Sequence, residues 1–501
     1  MKYLDFMIDF FENKGVKSVF AYPGEQILPI YRALHENSKI NCIDVKHEQA
    51  SAHAADGYFR ITNEVGICLA TAGPGATNLT TGIATAFKDS SSVLAITGRC
   101  STNYIGKNYF QEIPMDFLNF EKGYFVENPD SKYLINSYNE SYNLKKPVSI
   151  NIPADIYNQD VIDSKINLKN KNTESLENAV STIKKHKNAK NPVLLLGQGI
   201  YGNLKYSEMI KIGEILKKLQ IPILTTYPAR GVVDENFETA YAMVGRRGIL
   251  KSNDLILKSD AVFSIGASLS YNTLPESIRD KILYNVIPLN LGINSTNDIK
   301  TIVNTFNENV SSGHFKPSGQ NLSRNEFKFG DYPTKIHEIL ENLPKDTIIT
   351  TDAGNHTVFV SLLKKCVAPR NIISSHSMGT MGFGLPASIG VKFGCNDYNI
   401  NREVVSISGD GGFQMNIQEL GTVAENNLKI LIVVMKNNHL NMFGKINTPD
   451  FNKIADAYGI ENVYIQNSDE IGENVAYFLK KSIPYVMVVE CENEKLPKPF
   501  I

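Results

Sequence analysis

At 501 residues the chain exceeds one ordinary core, so two or three domains are expected, and 42% hydrophobic with 21% charged residues is the balance of a soluble globular protein. A formal net charge of -1 gives no reason to expect nucleic acid or an anionic membrane as partner, and no apolar run reaches the roughly 18 residues needed to span a bilayer. The cysteines at 42, 68, 100, 366, 395 and 491 form no CxxC pair, which argues against a zinc site or a disulfide frame and suits reduced thiols in a cytoplasm.

Residues 1–15 alternate acids with aromatics and lack a basic leader region and cleavage site, so they read as a first helix. Residues 41–45 are strand-like, and Glu48 then opens an alanine-rich helix. Residues 65–70 read as a strand, Gly73-Pro74-Gly75 as a turn into a helix, and residues 93–97 as the next strand. A Lys- and Asn-rich linker over 159–190 leads to a strand and glycine turn at 191–199, with further strands at 221–226 and 261–265. Residues 311–333 carry no sustained apolar period. The last unit runs from a strand at 404–408 through Gly409-Asp410-Gly411-Gly412 and a helix over 417–427 to a strand at 430–435. Strand, Gly-x-Gly, helix and strand thus recur at both ends, which suggests two homologous domains around a third. The expected fold is α/β, with three doubly wound parallel-sheet domains at about 1–160, 180–315 and 334–501.

The crossover from Gly409 to Lys436 puts both Asp410 and Asn437 at strand C-terminal ends, where open α/β sheets bind ligands. Gly409, Gly411 and Gly412 let backbone N–H groups approach phosphate oxygens, while Asp410 and an asparagine amide are hard oxygen ligands suited to Mg²⁺. A lone Gly-Asp-Gly is most often a plain turn. Followed after one crossover by Asn437-Asn438-His439-Leu440, it resembles the signature of thiamine diphosphate (ThDP) enzymes in residue type and spacing. Matching His439-Leu440-Asn441-Met442 to the family pattern implies Asn437 as the metal amide, the His439 carbonyl as third protein ligand, and Met442 at a cofactor contact.

Other segments carry the same resemblance. His47-Glu48-Gln49 and the small residues after it look like the family segment whose glutamate serves the aminopyrimidine N1′, although a helix-opening glutamate is ordinarily only a favourable charge at the dipole's positive end. Residues 72–78 resemble the loop against the pyrimidine ring, which implies contacts from Pro74 and Asn78. In the run 377–386, Met381 falls where a bulky residue wedges between the cofactor rings and Gly379 where a carbonyl accepts the 4′-amino group; a methionine there is otherwise core filling. Gly354-Asn355-His356 is similar to a turn that touches the diphosphate.

Tyr22-Pro23-Gly24, Phe110-Gln111-Glu112 and residues 409–420 point most closely to the acetolactate synthase large subunit and its relatives. The resemblance implies decarboxylation of a 2-oxo acid such as pyruvate, transfer to a carbonyl acceptor, Gln111 at the reacting centre, and a homodimer or homotetramer. Departures bear on the acceptor: Asn272 stands where those synthases carry an arginine, Ala154 where they carry a lysine, and the chain has no tryptophan. Glu25 replaces a glycine and is a candidate second catalytic carboxyl or a solvent-facing turn glutamate, while Arg246 and Arg247 are candidate anion contacts or ordinary surface cations. Gly197-Gln198-Gly199 is compatible with a bound FAD. The alternatives are a simple 2-oxo acid decarboxylase and a catalytically silent partner subunit of the same fold.

Overall fold

The computed structural model describes residues 1–36, 38–164, 176–282, 286–289, 292–311, 330–440 and 443–496. Its apolar runs form strands buried on both faces, as parallel sheets covered by helices require. The N-terminal sheet holds β1 (Ser18–Ala21), β2 (Asn41–Asp44), β3 (Gly66–Ala70), β4 (Val93–Arg99), β5 (Lys122–Phe125) and β6 (Val148–Pro153) in the order β2-β1-β3-β4-β6-β5. The middle sheet holds β7 (Pro192–Leu196), β8 (Ile223–Thr225), β9 (Ala240–Met243), β10 (Ala261–Ile265) and β11 (Val286–Leu289) in the order β11-β10-β7-β8-β9.

The C-terminal strands are β12 (Ile348–Thr351), β13 (Ile372–Ser374), β14 (Val404–Gly409), β15 (Leu431–Lys436), the small antiparallel pair β16 (His439–Leu440) and β17 (Gly444–Lys445), β18 (Glu461–Ile465) and β19 (Tyr485–Glu490). The large sheet runs β13-β12-β14-β15-β19-β18. With the small pair set aside, this order matches that of the N-terminal sheet strand for strand, so the repeat legible in the glycine turns extends through both sheets. The chain therefore has three parallel-sheet α/β domains, as the sequence predicts.

By compactness the chain divides into two units, one of Met1–Lys171, Ile349–His356 and Ser374–Cys491, the other of Asn172–Ile348, Thr357–Ile373 and Glu492–Ile501. In the first unit the helix Glu48–Thr62 is almost wholly buried. Its small residues permit this: a side chain at Gly57 would overlap the Ala387 main chain, one at Gly390 the Ala54 main chain, and one at Gly82 the Ala52 methyl. In the second unit the core is apolar, built around aliphatic Leu194, Leu196 and Ile212 and the aromatic pair Phe263 and Phe306.

The first helix is Tyr3–Asn13, as expected. The helix expected at 417–427 differs. Helical structure starts at Asp410 itself, passes through a 3₁₀ segment Gln414–Glu419 and resumes at Leu420–Glu425. The break falls at Asn416 (φ -135°, ψ 31°), whose amide donates to the Gly382 carbonyl at 2.7 Å, so a tertiary contact interrupts the local helix. All six cysteines are free, five of them buried. Among the described residues no helix is long and apolar enough to cross a membrane.

Candidate functional site

Glu48 is the first residue of its helix and only 7% exposed. The Asn78 side-chain amide donates to Glu48 Oε2 at 2.9 Å. Oε1 lies 3.3 Å from where a Cβ at Gly75 would stand, a position the Thr71 methyl already crowds at 2.8 Å, so only a glycine fits the turn beside this carboxylate. Pro74 and Asn78 are themselves exposed, on the helix Pro74–Lys88 that follows β3. The turn before Glu48 is held from far along the chain: Glu419 Oε1 and Oε2 accept from the Lys46 N–H at 3.0 and 3.2 Å, and Thr422 Oγ1 donates to Glu419 at 2.8 Å. Burial pushes the Glu419 carboxyl up to about 7, against the lowering effect of these donors. Sequence reasoning included Glu419 in the family-like segment 409–420 but gave it no role, because its partner Lys46 is far away in the chain.

Asp410 stands at the C-terminal end of β14 and accepts three main-chain hydrogen bonds, from Gly411 at 2.8 Å, Asn437 at 3.1 Å and Asn438 at 2.5 Å. Burial raises its carboxyl above the ordinary range, and the main-chain donors work the other way. Asn437 Oδ1 accepts from the His439 N–H at 3.0 Å, and the His439 ring lies 2.9 Å from the Asn437 carbonyl. The parallel register of β14 and β15 puts Gly409 opposite Met435, so Asp410 and Asn437 emerge side by side. A carboxylate, an amide oxygen and a carbonyl are the donors a hard divalent cation takes, so the residues fit Mg²⁺. The glycines have a second reason. None of Gly409, Gly411 and Gly412 has a positive φ, and side chains at 411 and 412 would run into Leu440 and the Asp352 carboxylate. Met442 lies outside the described residues.

Asp352 is buried at the C-terminal end of β12, accepts the Gly384 N–H at 3.0 Å, and is pushed up to about 6 by burial. Its carbonyl lies 3.0 Å from His356 Nε2, and burial pushes that imidazole down to about 4, so it is neutral at pH 7. Gly354 and Asn355 lie between them, Asn355 opening the helix Asn355–Leu363. Gly379 has φ +70° with open space where a Cβ would be, and Met381 beside it is half-buried. That loop is moored to the Glu48 helix through Arg60, which binds Asp56 through two nitrogens at 2.7 and 2.8 Å, Asp89 at 3.1 Å and the Ser374 carbonyl at 2.7 Å. Asp89 in turn accepts the Ser377 N–H at 3.0 Å.

Gln111 adopts φ +61° and its main chain covers Gly73, where a Cβ would meet the Gln111 carbonyl at 2.8 Å. Its Oε1 is buried without a hydrogen-bond partner among the described residues. Glu25 is exposed at the start of a 3₁₀ turn, beside Gly24, which packs on the Thr71 side chain; Thr71 also abuts Gly75. In the second unit the Arg246 N–H donates to the Asn272 carbonyl at 3.0 Å, so the cation pair adjoins the position where the arginine is missing. Burial, then Arg246, lowers the Arg247 guanidinium from its ordinary range. The glycines of Gly197-Gln198-Gly199 are accounted for within that unit, since side chains there would overlap the main chain of Gly266 and Ala267. This turn therefore carries no argument for a flavin.

Three family descriptions match the chain: Thiamine pyrophosphate enzyme, N-terminal TPP binding domain over residues 1–120, central domain over 176–304, and C-terminal TPP binding domain over 352–489. The chain is 55% identical to an uncharacterized protein of Methanocaldococcus jannaschii, across 100% of this chain and 99% of that protein. It is 33% identical to a Methanococcus aeolicus protein named "Probable acetolactate synthase large subunit", across 96% and 90% of the two chains. It is 28% identical to the acetolactate synthase of Arthrospira platensis, across 99% and 95%. An X-ray structure from Mycobacterium smegmatis, described as a proposed thiamin diphosphate-dependent enzyme, superposes with TM-score 0.82 at 18% identity, over 99% of this chain and 100% of that one.

Proposed function

This chain belongs to the thiamine pyrophosphate enzyme family, and on that premise we propose that it is a Mg²⁺- and ThDP-dependent enzyme that decarboxylates a 2-oxo acid, pyruvate being the simplest, and joins the remaining fragment to a carbonyl acceptor. The observation that carries this reading is Glu48: a buried carboxylate with one oxygen tied to Asn78 and the other beside the Gly75 turn, where Thr71 leaves no room for a side chain.

When bound, ThDP supplies a carbon nucleophile and an electron sink for the fragment left after CO₂ departs. The chain's residues hold and prime it. Asp410, the Asn437 amide and the His439 carbonyl would hold Mg²⁺, with Gly409, Gly411, Gly412 and the turn Gly354-Asn355-His356 around the diphosphate. Pro74 and Asn78 would line the pyrimidine, the Gly379 carbonyl would accept its amino group, and Met381 would fill the angle between the rings. Glu48 would exchange a proton with the pyrimidine nitrogen, an acid–base task suited to a buried carboxyl. Gln111 and Glu25 would face the substrate.

The working assembly in this reading is a homodimer or homotetramer, with Glu48 of one chain and Asp410 of another completing each site. In support, the described hydrogen-bond partners of Glu48, namely Asn78 and Ser51, lie near it in the N-terminal domain, whereas those of Asp410 all lie between 411 and 438. The test is incubation with Mg²⁺, ThDP and a panel of 2-oxo acids, with CO₂ and products followed by mass spectrometry. Release of CO₂ with carboligated product supports the proposal; no CO₂ from any of them overturns it. Asn272 and Ala154 favour the simple decarboxylase as second reading, in which free aldehyde is the dominant product.

A further inference from the structure

Strands β4 and β6 run parallel with Arg99 opposite Pro153 and Thr97 opposite Asn151, and β5 lies beyond β6 with Phe125 opposite Asn151. Side chains alternate along a strand, so Thr97, Arg99, Asn151, Pro153 and Phe125 share one face of the sheet. Thr97 Oγ1 donates to Asn151 Oδ1 on that face. The Arg99 guanidinium carbon lies 5.6 Å from the Phe125 ring centroid. Because β6 stands between the two strands, the arginine side chain reaches across the C-terminal end of β6. The residue following that end is Ala154, whose N–H donates to the Arg99 carbonyl at 3.1 Å.

Two hydrogen-bond donors on this face are unanswered. Among the described residues Arg99 Nε is buried without a partner, and so is Nδ2 of the fully buried Asn151. The acids of the neighbouring loops hydrogen-bond elsewhere: Glu112 accepts the N–H groups of Gly106 and Tyr109 and feels Arg99 only through its charge, and Asp155 accepts the N–H and hydroxyl of Thr102. Among the described residues no carboxylate lies within ion-pair distance of Arg99. A buried donor left unpaired is costly, and more so on a charged group. The strand end also adjoins the Glu48 neighbourhood, since β4 pairs with β3, whose C-terminal turn is Thr71–Gly75. Parallel α/β sheets bind ligands at this edge.

We propose that Arg99 binds the carboxylate of the oxo-acid substrate, supplying from β4 the cation that Ala154 does not supply from β6. This rests on the reading of the chain as a 2-oxo acid enzyme. A carboxylate offers two acceptors to a planar guanidinium that presents its donors as a fork, and Asn151 Nδ2 is a further donor on the same face. A neutral carbonyl substrate would gain little from either.

The experiment uses Glu48→Gln protein loaded with Mg²⁺ and ThDP, in which pyruvate binds without turnover, and measures pyruvate affinity by calorimetry. Adding Arg99→Gln should weaken pyruvate about tenfold or more, the scale of one charge-assisted hydrogen bond, and Arg99→Lys should fall between. Independently, with arginine side chains ¹⁵N-labelled, an Nε–H resonance missing from the Arg99→Lys protein should move on adding pyruvate. Unchanged affinity in Arg99→Gln, or an unmoved resonance, overturns the proposal while leaving the enzyme reading intact. If Glu48→Gln protein binds none of a panel of 2-oxo acids, the substrate reading fails and Arg99 falls with it.

Discussion

The Asn78 amide donates to Glu48 Oε2 across 2.9 Å, so a side chain on the exposed start of one helix orients the buried carboxyl at the head of another. Removing that donor should misdirect Glu48 without emptying the cofactor site. Asn78→Ala should slow exchange of the ThDP C2 proton about tenfold, the scale of one hydrogen bond to a charged group, with a smaller effect on ThDP affinity. Exchange at the unmodified rate, measured by NMR, would show that the carboxyl is positioned by other means.

Glu419 gives a pH dependence whose sign can be worked out. Its carboxyl titrates near 7 in the folded chain against an ordinary value of 4.5, with burial as the leading cause. Below the lower value it is protonated folded or unfolded. Above the upper one it is ionised in both states, and the folded chain bears a buried charge. Stability from this group is therefore present at low pH and lost as pH rises from about 4.5 through 7. Glu419→Gln abolishes the titration, so the unmodified protein should gain on the order of 3 kcal/mol relative to the variant between pH 8 and pH 5. Denaturant unfolding at the two pH values checks this; a gap independent of pH contradicts it.

The metal half of the site predicts a different failure. Asp410→Ala removes the carboxylate and releases the Gly411, Asn437 and Asn438 N–H groups it now accepts. Mg²⁺-dependent ThDP affinity should fall by more than about a hundredfold, beyond the effect of altering an outer-shell partner. Fluorescence titration with ThDP at fixed Mg²⁺ measures it, and an affinity within tenfold of the unmodified protein would refute the metal assignment.

Much of this was legible in the sequence because its signals are local. Glycine turns after apolar runs located β3 and β14, and the identical strand order of the outer sheets follows the repeat those turns announce. Contacts between distant positions were not legible. Lys46 and Glu419 are 373 positions apart, and nothing near either announces the other. Asn416 stands just before the helix expected at 417–427, and its bond to the Gly382 carbonyl breaks the helical path there, a tertiary bond that no local signal announces. Arg99, Phe125 and Asn151 lie on three strands, so their shared face appears only once the order β4-β6-β5 is known. Gly411 and Gly412 illustrate a third case: their presence was legible, whereas the packing of Leu440 and Asp352 that excludes a side chain there was not.

The central claim is that Glu48 primes the cofactor, and the most direct measurement is C2 proton exchange of Mg²⁺-ThDP bound to Glu48→Gln protein, followed by quenched-flow NMR. The amide keeps the size of the side chain and can still meet Asn78, but it cannot pass a proton to the pyrimidine nitrogen. ThDP should therefore still bind, within about tenfold of the unmodified affinity, while exchange drops to the rate of free cofactor. Exchange at the unmodified rate with cofactor bound would contradict the account.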